Sequence, residues 1–322
     1  MFQLAVIGAG QLGSRHLQGV AKSNFSAEIW VVDPSVDSLK TAESRYNEVR
    51  SETKTVFFVQ SIAEIKTKKL DLVIIATNSF HRLEAIQNLL AHCEVKYMVL
   101  EKVLFPSVDE YDVAVKILKE RKVKTWVNCC MRMNELYQQI RSEIQGKISF
   151  SAVGNSWGLG CNTIHYLDLF VFMSGNKNVT LKHCIAKSFP AKRNGYVEFE
   201  GSIKGVDTEG NHFLVTSVEN TPTESIITIQ TTGKTYIIDP LNGTGKAWIK
   251  SPETKGDWVA LPFRIKFQSE LSTELAESII TTGDCHLTPF EESVELHKIF
   301  LAPITSYLQE HSSEKIIKCP IT

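Results

Sequence analysis

The first 127 residues alternate short apolar runs with longer amphipathic segments. The apolar runs are rich in β-branched residues and predict strands near residues 4–7, 29–32, 56–59, 70–76, 97–100 and 123–127. Helical periodicity predicts helices between them, near residues 12–21, 36–50, 81–92 and 108–120. These helices are long enough to connect parallel strands, and residues 72–76 are apolar on both faces, as in a sheet covered on both sides. Residues 1–127 are therefore predicted to form a doubly wound α/β domain.

From residue 128 onward the pattern changes. Two helical segments, near residues 132–145 and 163–173, flank one predicted strand, and alternating apolar and polar positions then run from residue 179 to about 261. Tight turns between these alternating segments indicate antiparallel pairing. Two further helical segments, near residues 267–281 and 289–309, complete the sequence. We therefore predict that residues 128–322 form an α+β domain with a large, mostly antiparallel open sheet.

Composition and charge restrict the classes of function. The chain has 322 residues, is 43% hydrophobic, and carries 35 Lys and Arg against 36 Asp and Glu. This composition is typical of a globular protein and excludes a disordered or collagen-like chain. A nucleic-acid-binding protein needs a local excess of Lys and Arg, and the balanced charge shows none. We therefore expect no nucleic-acid partner.

The cysteines and the apolar runs bear on metal sites and on location. Seven cysteines occur without C-x-x-C spacing, so we expect neither a metal site nor a disulfide framework. No apolar run reaches the roughly 18 residues that a membrane span requires, and the first residues lack the pattern of a signal peptide. We expect a cytoplasmic protein with reduced thiols and no membrane partner.

A glycine-rich segment, Gly8-Ala-Gly10-Gln-Leu-Gly13, directly follows the first predicted strand and begins the first predicted helix. In a dinucleotide-binding loop, Gly8 allows the tight turn, Gly10 lets the backbone approach a pyrophosphate, and Gly13 permits close packing of the helix on the strand. Gln11 and Leu12 begin the helix, whose N-terminus would face the phosphates. All five residues are predicted to bind the cofactor, and the domain is predicted to be of the Rossmann type.

Asp33 follows the second predicted strand, 20 residues after Gly13. A carboxylate there can accept hydrogen bonds from the ribose hydroxyls of NAD, whereas the 2′-phosphate of NADP would meet a like charge. The sequence therefore favours NAD over NADP.

Four segments spread over most of the chain together resemble the Gfo/Idh/MocA family of sugar and polyol oxidoreductases. They comprise residues 8–16, 76–81, 101–102 and 165–168. The resemblance implies a two-domain NAD(P)-dependent enzyme with a small-molecule substrate. It also implies a homodimer or homotetramer in which the antiparallel sheet supplies the contact between subunits.

The resemblance also implies catalytic residues. In that family the lysine of a Glu-Lys-Pro motif lies beside the nicotinamide and helps to move the substrate hydroxyl proton, and here the motif reads Glu101-Lys102-Val103. A histidine corresponding to His165 belongs to the catalytic group, and Asp168 shares its helix face. The family often has an acid four residues before this histidine, where this chain has Cys161. Lys102, His165 and Asp168 are the predicted catalytic residues.

Lesser roles also follow from the resemblance. Thr77 and Asn78 match a loop that touches the cofactor near the nicotinamide ribose, and His81 matches a residue at the start of the next helix. Glu101 is similar to a residue near the same ribose. These four residues complete the predicted cofactor-binding set, although helix capping alone would also explain Asn78.

The sequence favours one function, that of an NAD(P)-dependent oxidoreductase acting on a sugar or polyol, and leaves two alternatives open. The favoured reaction is hydride transfer between nicotinamide and a secondary alcohol or ketone of a sugar, polyol or nucleotide-linked sugar. The first alternative is an NAD-binding regulator with reduced catalysis, which Cys161 favours and which the retained Lys102 and His165 disfavour. The second alternative is a reductase of a non-sugar carbonyl, similar to biliverdin reductase, which would need apolar pocket walls.

Overall fold

The computed structural model describes residues 1–220, 225–240 and 245–322, which divide into two compact units. The first unit contains residues 1–128 and 267–291, and the second contains residues 129–266 and 292–322.

The first unit is built on a mostly parallel sheet. Its strands are β1 (Phe2–Ile7), β2 (Ala27–Val32), β3 (Lys54–Val59), β4 (Lys69–Ile75), β5 (Glu94–Leu100), β6 (Lys124–Val127) and β15 (Thr288–Pro289). The strand order is β15-β6-β5-β4-β1-β2-β3, and every pair is parallel except that of β15 with β6. The order reverses between β1 and β4, which is where open α/β sheets bind ligands at the carboxyl ends of their strands. The predicted doubly wound α/β domain is confirmed.

The helices of this unit follow the strands as the periodicity predicts. They are α1 (Gln11–Ala21), α2 (Val36–Asn47), α3 (Ser79–His92), α4 (Val108–Glu120) and α7 (Gln268–Thr282), with a short 3-10 helix at Ile62–Glu64. The strands that they cover are nearly inaccessible, and Val73, Ile75 and Val99 have no exposed surface. This burial on both faces explains why the strands read as continuous apolar runs.

Helix α7 packs against α1, although more than 240 residues separate them in the chain. The hydroxyl of Thr273 donates to the backbone oxygen of Gly19 at 2.8 Å. Residues 267–291 therefore belong to the first unit, whereas a division by chain order alone assigns them to the second.

The second unit has an eight-stranded sheet. Its strands are β7 (Ser149–Asn155), β8 (Val179–Pro190), β9 (Val197–Asp207), β10 (His212–Val218), β11 (Ile226–Gln230), β12 (Thr235–Asp239), β13 (Lys246–Lys250) and β14 (Val259–Leu261). The order is β14-β13-β12-β11-β7-β10-β9-β8, and among these described strands only β7 and β10 pair in parallel. The predicted large, mostly antiparallel sheet is confirmed.

In the described part of this unit, the sheet is accompanied by a 3-10 helix at Cys130–Met133 and by the helices α5 (Glu135–Glu143), α6 (Leu159–Ser174) and α8 (Phe290–Glu310). The first two residues of α8 belong to the first unit. Helix α6 is apolar almost all round and lies against β9 and β10. The ring of Phe213 stacks on Phe150 at 5.9 Å and contacts Phe170 at 5.4 Å, which fixes the helix on the sheet. Within the described ranges, no helix combines the length and the apolar character that crossing a membrane requires.

Candidate active site

The glycine loop between β1 and α1 has the predicted geometry. Gly8 has φ of +95°, and a Cβ atom there would lie 2.8 Å from the Thr77 nitrogen. At Gly13 a Cβ atom would lie 1.8 Å from the Gly8 oxygen. Both positions therefore require glycine, because the loops after β1 and β4 touch and α1 approaches its own loop closely.

The outer side of this loop is open. Around a Cβ atom at Gly10, no atom of the described chain beyond its immediate neighbours lies within 4 Å, and Gly10, Gln11 and Leu12 are exposed. An open backbone at the N-terminus of an 11-residue helix fits a pyrophosphate, which the amides and the helix dipole would hold. The residues present therefore fit the phosphates of NAD.

Arg45 of α2 contacts this helix start, and sequence reasoning missed it. Its guanidinium donates to the Gln11 backbone oxygen at 3.0 Å and to the Gln11 side-chain oxygen at 2.6 Å. Burial and the neighbouring charge of Arg15 lower the pKa of Arg45. No local motif marks Arg45, because its partner lies 34 positions earlier in the chain.

Asp33 lies at the end of β2, beside the glycine loop. One carboxylate oxygen accepts from the Ala9 amide at 2.7 Å and the other from the Ser35 amide at 2.8 Å. These bonds hold the carboxylate next to the loop and leave it partly exposed. That position suits a group that receives ribose hydroxyls.

We expect the substitution Asp33→Ser to weaken NADH binding far more than NADPH binding. In this prediction the carboxylate would accept hydrogen bonds from ribose hydroxyls, whereas it would repel a 2′-phosphate. Fluorescence titration with each cofactor measures both dissociation constants. Asp37→Ser is the matched control, because the Asp37 side chain is 95% exposed. If the substitution raises the dissociation constants of NADH and NADPH by the same factor, Asp33 does not distinguish the two cofactors.

The loops after β4 and β5 contain the other predicted residues of this unit. Asn78 caps α3, since its side-chain oxygen accepts from the His81 amide at 3.2 Å. Thr77 and Asn78 are partly exposed beside the glycine loop, whereas His81 is exposed on α3. Lys102 is partly exposed and is the second residue after β5. Because β1, β4 and β5 are neighbours, the sheet brings together their carboxyl-terminal loops, and with them Gly8, Thr77 and Lys102.

Glu101 differs from its neighbour Lys102 because it is only 3% exposed. One of its oxygens accepts from His16 Nε2 at 2.8 Å and also from the side-chain amide of Asn128. His16 Nδ1 lies 2.8 Å from the hydroxyl of Ser272 in α7. A buried polar network therefore links the end of β5 to α1 and α7.

The hydrogen bonds of His16 bear on its charge. Ser272 has one hydroxyl hydrogen, and its oxygen lies 2.7 Å from the Gln268 backbone oxygen and 2.8 Å from His16 Nδ1. If the hydroxyl donates to Gln268, His16 Nδ1 donates to Ser272 while Nε2 donates to the Glu101 carboxylate. An imidazole that donates from both nitrogens is positively charged, and this arrangement makes His16 and Glu101 a buried ion pair.

This ion pair predicts a pH dependence of stability. Burial by itself raises the pKa of the Glu101 carboxyl, but hydrogen bonding and charge from His16, with the Asn128 amide, bring it below its ordinary value of 4.5. A carboxyl with a lowered folded-state pKa stabilises the fold fully above its ordinary pKa and loses this effect as the pH falls through the folded-state value. We expect Glu101→Gln to lower the free energy of unfolding by about 1–3 kcal/mol at pH 7 and by progressively less below pH 4.5. Urea unfolding across this range measures the difference, with the exposed Glu84→Gln as control. A difference independent of pH would contradict the ion pair.

In the second unit, α6 carries His165 and Asp168. Asp168 has no exposed surface, and its carboxylate accepts from Arg132 Nε at 2.6 Å. Arg132 also donates to Glu292 at 2.6 Å. Burial by itself lowers the pKa of Arg132, but the two carboxylates raise it above its ordinary value. Asp168 therefore stands in a buried charge cluster, whereas His165 is partly exposed.

A carboxylate from the sheet holds the first turn of α6. Glu198 of β9 accepts from the Gly160 amide at 2.7 Å and from the Cys161 amide at 3.0 Å. The side chain of Asn162, the residue after Cys161, donates to the Trp157 backbone oxygen. Sequence reasoning missed Glu198, because it lies 37 positions from Cys161 in the chain. Glu198 nevertheless places a carboxylate beside Cys161, which stands where the family often has an acid.

Comparison with known proteins identifies the relatives of this chain. Residues 2–129 match the profile GFO_IDH_MocA, described as an oxidoreductase family with an NAD-binding Rossmann fold. A sequence comparison with curated proteins finds no match.

Solved structures resemble the chain over nearly its whole length. One is UDP-N-acetylglucosamine 3-dehydrogenase GnnA from Acidithiobacillus ferrooxidans, with 15% identity, a TM-score of 0.69 and coverage of 94% of this chain and 96% of that chain. Another is an oxidoreductase from Agrobacterium radiobacter in complex with NAD+, L-tartaric acid and magnesium, with 15% identity, a TM-score of 0.70 and 98% coverage of both chains. A third is an NAD binding oxidoreductase from Klebsiella pneumoniae, with 13% identity, a TM-score of 0.67 and coverage of 96% and 97%.

At these identities the structural likeness establishes the fold, while the profile and the glycine loop establish the cofactor. Residues 2–129 therefore match the NAD-binding Rossmann domain of the Gfo/Idh/MocA oxidoreductase family.

Proposed function

We propose that this protein is an NAD-dependent dehydrogenase or reductase that acts on a secondary alcohol or ketone of a sugar, polyol or nucleotide-linked sugar. The observation that carries the proposal is the position of Lys102. It is the second residue after β5, whose successive neighbours in the sheet, β4 and β1, are followed by the loops of Thr77 and Gly8, at the carboxyl ends of the strands where dinucleotides bind.

The reaction divides between the cofactor and the chain. When bound, NAD supplies the hydride chemistry at C4 of its nicotinamide. Oxidation of a CH–OH group also releases the hydroxyl proton, and Lys102 and His165 are the residues proposed to accept it. In the opposite direction the same residues return the proton to the carbonyl oxygen, so that an alcohol forms.

Each residue has a defined task in this proposal. Gly8, Gly10 and Gly13 shape the loop, and the backbone amides of Gln11 and Leu12 would hold the pyrophosphate.

The remaining residues would hold the two riboses. Asp33 would bind the adenosine ribose, while Thr77, Asn78 and His81 would lie on the nicotinamide side.

The roles proposed for Glu101 and Asp168 differ from those proposed for Lys102 and His165. Glu101 is paired with His16 in a buried network, so we assign it to holding the backbone before Lys102. Asp168 is fully buried against Arg132, so we assign it to fixing α6, which carries His165, and not to the chemical step.

The proposed substrate class rests on the family and on one relative. The printed name of the Acidithiobacillus protein describes a dehydrogenase of UDP-N-acetylglucosamine. A sugar has several hydroxyl groups, which need several polar partners in the pocket, whereas a flat apolar carbonyl compound needs apolar walls.

We also propose that the chain forms a homo-oligomer through its second sheet. Val153 of β7, Val206 of β9 and Leu214 of β10 point to the same face and are 42%, 42% and 39% exposed. An exposed apolar patch on neighbouring strands favours contact with another subunit.

The experiment that tests the function is absorbance at 340 nm with NAD+ or NADP+. The substrates are free sugars, inositols, and UDP-, GDP- and CMP-linked sugars, with apolar ketones and biliverdin assayed in the reductive direction. Turnover with one class of sugar supports the proposal. Turnover with the apolar carbonyl compounds alone would replace its substrate class. Bound NADH without any turnover would favour a regulator.

A further inference from the structure

Arg82 is the most thoroughly buried cation of the first unit outside the groups described above. It follows the exposed His81 on α3, yet only 1% of its surface is accessible. A guanidinium that leaves water must regain its hydrogen bonds inside the protein. Its partners therefore show what this position does.

Three hydrogen bonds of Arg82 go to backbone carbonyl oxygens of two different loops. Arg82 donates to the oxygen of Thr77, which follows β4. It also donates to the oxygens of Val103 and Leu104, which follow β5, the latter at 2.8 Å. One rigid guanidinium therefore joins the two loops.

Both loops carry residues of the proposed site. Thr77 belongs to the loop that touches Gly8, and Val103 directly follows Lys102. Strands β4 and β5 pair in parallel, with Ile75 opposite Leu100, so the sheet fixes the loops only where they begin. Beyond that point, the guanidinium of Arg82 donates hydrogen bonds to both loops.

We propose that Arg82 is a positioning residue that holds Lys102 in register with the cofactor-binding loop at Thr77. The inference rests on the proposed function of Lys102, but the bridge between the loops is a separate structural property. Lysine cannot replace this arginine, because an ammonium lacks the planar fork that reaches three carbonyls in two directions.

The first test measures, without any substrate, whether the hydrogen bonds of Arg82 stabilise the loops after β4 and β5. Hydrogen exchange by mass spectrometry compares the wild type with Arg82→Lys and Arg82→Gln, with and without NADH. We expect faster exchange in the segments 77–80 and 101–106, and little change in the rest of the sheet. The control is Gln87→Ala, an exposed position on the same helix. Exchange that rises throughout the first unit, or only within α3, would overturn the proposal.

The second test measures catalysis with the substrate found in the 340 nm assay. We expect Arg82→Lys to lower kcat by about 10- to 100-fold, because a displacement of about 1 Å has effects of this size, with a much smaller change in the KM for NAD+. In the Lys102→Met background the same substitution should lower kcat no further, since Arg82 acts through Lys102. Full additivity of the two substitutions would overturn the proposal.

The two tests separate the two hypotheses. If the wild type turns over no substrate, the proposed function fails, and hydrogen exchange alone decides the role of Arg82. If both Arg82 variants fail to fold, the guanidinium is required for folding itself and the positioning role is overturned.

Discussion

We expect Lys102→Met to lower turnover by about 10²- to 10⁴-fold while NADH binding changes little. A positioned proton-transfer group contributes a factor of this size, and methionine keeps the length of the side chain without its ammonium group. Lys102 is partly exposed after β5, so the substitution creates neither a cavity nor a buried charge. Initial rates at 340 nm and fluorescence titration with NADH measure the two quantities separately.

The matched control is Lys96→Met. Lys96 is an exposed lysine on the same strand, near its opposite end. We expect it to retain both turnover and NADH binding. Undiminished turnover in Lys102→Met would remove this lysine from the mechanism, and loss of NADH binding would assign it to the cofactor instead.

The second large effect is expected from Arg132→Leu. The substitution leaves the carboxylate of Asp168, which has no exposed surface, without its guanidinium partner. Removal of one member of a buried ion pair destabilises a protein by about 3–5 kcal/mol. Urea unfolding of the wild type and the variant measures the free energy of unfolding.

Two further variants show whether the buried charge is the cause. Adding Asp168→Asn to Arg132→Leu should restore part of the stability, because a neutral amide is less costly to bury than an unpaired carboxylate. Lys177→Met removes one member of an exposed pair with Glu295 in the same unit and should have no measurable effect. If Arg132→Leu is as stable as the wild type, the cluster does not stabilise α6.

The fold was predictable from local pattern wherever one strand and one helix alternate. The glycine loop predicted its own geometry, because Gly8 and Gly13 meet atoms that leave no space for a side chain. The assignment of α7 to the first unit was not predictable, because the apolar face of a helix does not indicate which other helix it packs against. The partner, α1, lies at the opposite end of the sequence.

The candidate site was predictable only in part. The resemblance drew attention to His81, which is exposed, and not to the adjacent Arg82, which is buried and joins two loops. Asp168 shared a helix face with His165, but its partner Arg132 lies 36 positions away. Pairings across such separations depend on tertiary packing, which no short motif records.

In the proposed function, the chain moves a hydride between a sugar carbon and the nicotinamide. The most direct measurement uses the reactive sugar with deuterium on the carbon that is oxidised, and follows the NADH product by proton NMR. Direct transfer in a fixed orientation predicts deuterium at nicotinamide C4, on one face only, in the wild type. NADH without deuterium at C4 would contradict the claim, because the hydride would then not come from that carbon.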